Sequence, residues 1–97
     1  MLKALFLGFA KVHILHHASQ EPVYGLWIIE ELERHGYRLS PGTVYPMLHS
    51  MEKSGYLKCR SEVVCGKVRK YYSITDRGRE VLVEARARLR ELVEEVL

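Results

Sequence analysis

Within residues 56–72, Lys58, Arg60, Lys67, Arg69 and Lys70 stand against a single acid, Glu62. Five charges against one leave a surplus of four in a chain whose formal net charge is +3, so the remaining residues are together slightly acidic. A cationic field confined to one short segment attracts a polyanion, and Lys and Arg on an extended arm suit phosphate groups. Tyr71 adds a hydroxyl beside them.

Two further groups invite chemistry. His13 and His17 lie four residues apart, on one face if the segment is helical, and could share a divalent ion; His16 sits between them. No other ligand is adjacent in the sequence, and Cys59 and Cys65 would have to be brought there by the fold, so no metal site and no cofactor is assigned. The two cysteines fall on one expected strand, which holds them about 20 Å apart and beyond the reach of a disulfide. Cys65, at an exposed turn, is open to oxidation or to crosslinking between chains. There is no phosphate-binding glycine loop, H-E-x-x-H, C-x-x-C or G-x-S-x-G sequence, and the expectation is a non-enzymatic protein.

The elements that must position these residues follow from periodicity and punctuation. Residues 2–18 are apolar on nearly every side, which predicts a helix buried on more than one face. Pro22 breaks it. Residues 24–35 turn Ile28, Ile29 and Leu32 inward and Glu30, Glu31 and Glu33 outward, with Gly36 as a C-terminal cap. A third helix spans 40–54, with Ser40 placed to accept a bond from a first-turn N–H and Pro41 at the first helical position. Val44, Met47, Leu48 and Met51 recur at helical spacing on one side; Gly42, Tyr45, Pro46, His49, Ser50 and Lys53 occupy the other. Pro46 has no N–H for the carbonyl of Gly42, so either the first turn is irregular or Thr43 is the true cap.

From Tyr56 the period becomes two. Strands at about 56–64 and 67–74 flank a two-residue turn, Cys65-Gly66, with Gly66 supplying a positive φ. This register pairs Leu57 with Ile74, Cys59 with Tyr72, Arg60 with Tyr71, and Val64 with Lys67. The hairpin is then apolar at its root and basic toward its tip. Thr75 and Asp76 open a last helix running to the C-terminus, on which Leu82, Ala85, Leu89, Leu92 and Val96 form a coiled-coil-like seam.

Ninety-seven residues suit one folding unit, and a chain of this size buries only roughly 65% of its unfolded surface, so burial against a second copy would help it. The hydrophobic fraction of 47% and charged fraction of 28% are those of a globular protein. The most apolar stretch, Leu2 to Leu15, is too short to cross a bilayer and is interrupted by Lys3, Lys11 and His13. No signal-peptide pattern precedes it, and a cytoplasmic location is expected.

Helix, helix, short turn, helix, hairpin, helix is the order of a winged helix-turn-helix: a mainly α fold with a small β-hairpin and an added C-terminal helix. Its third helix has the polar face and the anchored face that insertion into a major groove requires. The residues also carry a family resemblance. Tyr24-Gly25, the run Leu39-Ser-Pro-Gly-Thr-Val-Tyr-Pro-Met-Leu48, the run Glu52-Lys-Ser-Gly-Tyr-Leu57 and the run Arg69-Lys-Tyr-Tyr-Ser-Ile-Thr-Asp-Arg-Gly78 resemble the PadR family of transcriptional regulators. The resemblance covers nearly the whole chain. It implies a dimeric regulator of double-stranded DNA, usually a repressor. Ser40, Gly42, Thr43, Tyr45 and Pro46 would face the groove and Lys67, Arg69, Lys70 and Tyr71 the backbone.

His49 and Lys53 extend the groove-facing set by their place on the helix. Residues 1–75 would form the DNA-binding unit and 76–97 the dimerisation helix, within a single folded unit. The expected dimer interface joins Leu5, Phe6 and Phe9 to Leu82, Ala85, Leu89, Leu92 and Val96, and implies a palindromic operator. Small members of the family hold aromatic effectors with aromatic side chains of the last helix. Residues 76–97 contain none, so an effector is left unassigned. The family's larger relatives, with an extended C-terminal domain, do not match this length. Three other readings stand beside this one: a winged-helix protein-interaction module, a metal- or redox-responsive DNA-binding regulator, and a MarR-like regulator, whose chains are usually longer and lack the S-P-G-T-x-Y-P run.

Overall fold

The computed structural model describes residues 1–97 as α1 (Leu2–Gln20), β1 (Val23–Tyr24), α2 (Gly25–Arg34), α3 (Pro41–Lys53), β2 (Leu57–Val64), β3 (Lys67–Ile74) and α4 (Asp76–Val96). Four helices thus accompany one antiparallel sheet of order β1-β3-β2, the architecture of a winged helix-turn-helix. The hairpin register is the one expected at every pair, from Leu57 opposite Ile74 to Val64 opposite Lys67.

β1 was not expected. The sequence reading starts the second helix at Tyr24, but Val23 pairs with Tyr72 and Tyr24 with Tyr71, so the helix begins one residue later, at Gly25. Tyr24 is extended, at φ −121° and ψ 160°, and serves as the residue before the first turn of α2. Two residues cannot display a period, and Pro22, which cannot donate to a ladder, fixes where the strand begins.

The core is a single apolar cluster drawn from every element. Ile14, Ile28, Leu32, Val44, Leu48, Leu57 and Tyr72 are its most completely buried large side chains. Burial pushes the Tyr72 hydroxyl up to about 12, since an ionised phenolate would have to lose its water there. Only the C-terminal half of α1 is enclosed, through Ala10, Ile14, Leu15 and Ala18; Leu2, Leu5 and Phe6 remain exposed. One chain therefore covers only part of the apolar surface of that helix.

The seam on α4 divides similarly. Leu82, expected to meet a partner, is 3% exposed and belongs to the chain's own core, because the first half of α4 packs on α1. Ala85 and Leu89 are half-buried, whereas Leu92 and Val96 are bare. Thr75 locks the root of α4: its hydroxyl accepts from the Gly78 N–H at 3.0 Å and donates to the Gly55 carbonyl. The Thr-x-x-Gly sequence is thus a helix cap that also ties α4 to the loop after α3.

α1 also packs against α2 near its C-terminal end. Burial pushes the His13 and His17 imidazoles below the ordinary histidine range, a shift reinforced by their cationic neighbours and opposed by Glu31. The Glu31 carboxyl is held below its usual value first by its hydrogen bond to His35. α2 ends at His35 and Gly36, the latter at φ 88°, where a Tyr37 N–H reaching back 2.9 Å to the Leu32 carbonyl closes the helix. No helix is long and apolar enough to cross a membrane.

Candidate nucleic-acid interface

α3 starts where sequence punctuation puts it. The Ser40 carbonyl accepts from Thr43 and Val44, both at 3.0 Å, so Ser40 is the cap residue and Thr43 is not. The Ser40 side chain makes no capping bond to the backbone; its oxygen lies 3.4 Å from the Thr43 hydroxyl instead. Pro46 consequently stands inside the helix, leaving the Gly42 carbonyl without its usual donor on the exposed side. Val44, Met47, Leu48 and Met51 are buried, which anchors one side of α3 and leaves Gly42, Tyr45, Pro46, His49, Ser50 and Lys53 outside.

Tyr45 is positioned by an absence. A Cβ at Gly25 would run into the Tyr45 ring, so glycine at the start of α2 is what allows this aromatic to lie across the joint between α2 and α3. Tyr45 remains 43% exposed, with one side against α2 and the other available.

The wing is held by aromatic and cationic stacking at its root. The Arg69 guanidinium sits 4.1 Å above the Tyr24 ring, and Tyr24 meets Tyr71 edge-on at 5.6 Å. The Tyr71 side chain, ahead of other neighbours, favours the charged form of Arg69. Arg60 lies 5.2 Å from the Tyr71 ring centroid, and its Nε donates to Glu62 at 3.1 Å. The wing's single acid is thereby committed to Arg60, which leaves Lys58, Lys67, Arg69 and Lys70 as unneutralised charge. At the tip both turn residues are left-handed, Cys65 at φ 52° and Gly66 at φ 77°. That is the primed turn a two-residue hairpin needs, with Cys65 in a conformation expected only of Gly66. Both cysteines are free thiols.

Between α3 and the wing runs a groove of about 780 Å³, open along its length. From the expected site it gathers Tyr45, His49, Lys67, Arg69 and Lys70. Tyr71 adjoins it through Arg69 and Tyr24. Ser40, Gly42, Thr43, Pro46 and Lys53 do not line it; all but the half-buried Thr43 are exposed, at the two ends of α3 and on its outer side. Tyr24, Leu26 and Cys65 line it without having been expected there. The Tyr24-Gly25 pair was the available signal, since a glycine opening an amphipathic helix marks a close approach by something else.

Comparison with known proteins agrees with this geometry. Residues 14–84 match the transcriptional regulator PadR-like family. The chain is 51% identical over 87 residues to transcriptional regulator Rv3488 of Mycobacterium tuberculosis, covering 90% of this chain and 81% of that protein. A PadR family transcriptional regulator from Eggerthella lenta superposes with a TM-score of 0.87 at 32% identity, covering 99% of this chain and 85% of the other. A PadR-like transcriptional regulator from Bacillus cereus gives 0.85 at 34%, covering 96% and 92%. These relatives are regulators rather than enzymes. The chain belongs to the PadR-like family of transcriptional regulators.

Proposed function

We propose that this regulator binds double-stranded DNA as a homodimer and represses transcription, with α3 in the major groove and the wing on the phosphate backbone. One observation carries the reading: the outward side of α3 and the unneutralised cations of β3 line the same groove, while the inward side of α3 is fixed in the core. A helix in the major groove needs that rigid backing, and the cations flanking it supply affinity that any sequence shares. Residues 1–75 are the DNA-binding unit and residues 76–97 the dimerisation helix of a single folded unit. The bare Leu2, Leu5 and Phe6 of α1 and Leu92 and Val96 of α4 support an interface there, with the half-buried Phe9, Ala85 and Leu89 at its margin. Two-fold symmetry of such a dimer calls for a palindromic operator, and a dimer seated on a promoter would block its use.

Footprinting on the DNA upstream of its own gene, followed by anisotropy titration of the protected duplex, tests the reading. Changing Lys67, Arg69 and Lys70 together to Ala should weaken binding to every duplex and lower the salt-dependence slope by about 2 to 3. Equal affinity of the native and triple-variant proteins would refute the wing assignment. A monomer by light scattering at micromolar concentration would refute the homodimer, and unchanged expression from the footprinted promoter in a reporter strain would refute repression.

A further inference from the structure

At the far end of α2 from the groove, about 15 Å along the helix, a cluster has no part in the reading above. His13 and His17 are one turn apart on α1; Glu31 and His35 are one turn apart at the end of α2. The sequence alone offered His13 and His17 with no nearby partner, and the fold supplies two. One ring nitrogen from each of His13, His17 and His35 lies within 4.8 Å of the others. Glu31 Oε2 is 3.2 Å from His17 Nε2 and 3.1 Å from His35 Nε2. The His13 ring stacks on His35 with centroids 4.9 Å apart.

We propose that His13, His17, Glu31 and His35 bind one divalent transition cation of the zinc class, and that the ion ties α1 to the turn leading into α3. Facing helices that each contribute ligands one turn apart are a recurrent way to build such a site. Three imidazole nitrogens and a carboxylate oxygen suit zinc, cobalt, nickel or copper and are poorly suited to magnesium or calcium. Ligands at about 2.0 to 2.1 Å from a tetrahedral ion stand about 3.3 Å from one another. Glu31 Oε2 already lies near that separation from His17 and His35, and the three imidazole nitrogens, within 4.8 Å of one another, would draw closer around the ion.

The surroundings orient the ligands. Arg34 Nε sits 3.5 Å from Glu31 Oε1, the oxygen not turned to the histidines. Trp27 meets the His17 ring edge-on at 5.2 Å, and Tyr37 does the same to His13 at 5.3 Å. Neighbours that fix ligand orientation raise the affinity of a metal site. His16 is outside the cluster, because its Nδ1 faces Arg86 Nη2 of α4 at 3.1 Å. His35 immediately precedes Gly36 and the short turn to Ser40, so an ion holding His35 to α1 restrains the segment that sets the angle of α3. The effect on DNA rests on the DNA-binding reading; the ion site does not.

Cobalt is the probe, because tetrahedral Co²⁺ absorbs strongly in the visible and the hydrated ion does not. Titration of tag-free full-length protein with Co²⁺ should give a saturating visible band at one ion per chain, bleached by Zn²⁺. His13→Ala and His35→Ala should each weaken Co²⁺ binding at least tenfold, and Glu31→Gln should shift the band. His16→Ala and a Cys59→Ser/Cys65→Ser variant should leave it in place. His35 is exposed, so its variant should retain the native circular dichroism. Absence of the band, or a band unchanged in both His13→Ala and His35→Ala, overturns the site. With the site present, Zn²⁺ should change affinity for the footprinted duplex in the native chain and not in His35→Ala. An unchanged affinity overturns the coupling alone, and a chain that binds Co²⁺ but no duplex overturns the DNA reading and leaves the ion site standing.

Discussion

α3 and the wing are built on opposite terms. α3 carries Lys53 against Glu52 and buries four apolar side chains; the wing holds the chain's cationic surplus and ends in Val63 and Val68, 74% and 69% exposed. One is rigid and nearly neutral, the other charged and peripheral. A neutral helix can discriminate by shape and hydrogen bonding but contributes little that salt can screen, whereas a basic arm gives affinity without reading bases. The division concentrates positive charge in one segment of a regulator whose formal net charge is only +3.

The contrast in anchoring should produce the largest difference. Leu48 is fully buried beneath α3. Leu48→Ala should cost about 2 to 5 kcal/mol of folding stability through lost transfer and a cavity, while Val68→Ala near the wing tip should stay within about 0.5 kcal/mol. Urea unfolding of the two variants measures this directly. Comparable losses would mean that the wing tip is packed against something, such as the second subunit.

Within the wing, the ion pair of Arg60 with Glu62 separates cations that are free from one that is engaged. Lys67→Ala should reduce the salt-dependence slope of duplex binding by about 1. Arg60→Ala should reduce it by less, because Glu62 is released at the same time and offsets part of the loss. The same titrations sharpen the comparison with α3. Tyr45→Ala should leave the slope alone but narrow the gap between operator and unrelated DNA by on the order of 1 kcal/mol. A Tyr45 variant that lost affinity equally for both duplexes would make the tyrosine a packing residue for Gly25 and nothing more.

What could be read from the residues depended on whether the signal was local. The hairpin register was legible because alternation and a two-residue turn together leave one solution; Pro41 marked the start of the third helix, but the capping bond expected of the Ser40 side chain is not made. β1 was not, because two residues have no period and the strand exists only through its pairing with β3. Leu82 was assigned to a partner because a heptad spacing does not say which helix fills it; α1 of the same chain does. The groove was half legible: its cations follow from composition, but Tyr24 reaches it only through the sheet and through the stacking of Arg69. Glu31 and His35 looked like a solvent-facing acid and a helix end until the fold laid them against His13 and His17.

The smallest effect concerns the turn that presents the wing's charge. Cys65 is the only residue other than glycine with a positive φ, at 52°, and its side chain is exposed. The left-handed conformation costs an ordinary L-residue roughly 1 kcal/mol, a penalty that asparagine largely escapes, and Asn-Gly is the favoured pair for this turn. Cys65→Asn should therefore stabilise the fold by about 0.5 to 1 kcal/mol. The gain should show as a higher urea midpoint with an unchanged m-value. Since the substitution keeps every cation of the wing, it should leave the salt slope of DNA binding unaltered, while a rigid tip raises affinity slightly at all salt concentrations. A fall in stability on this substitution would mean that the Cys65 side chain makes a contact worth more than the backbone strain it carries.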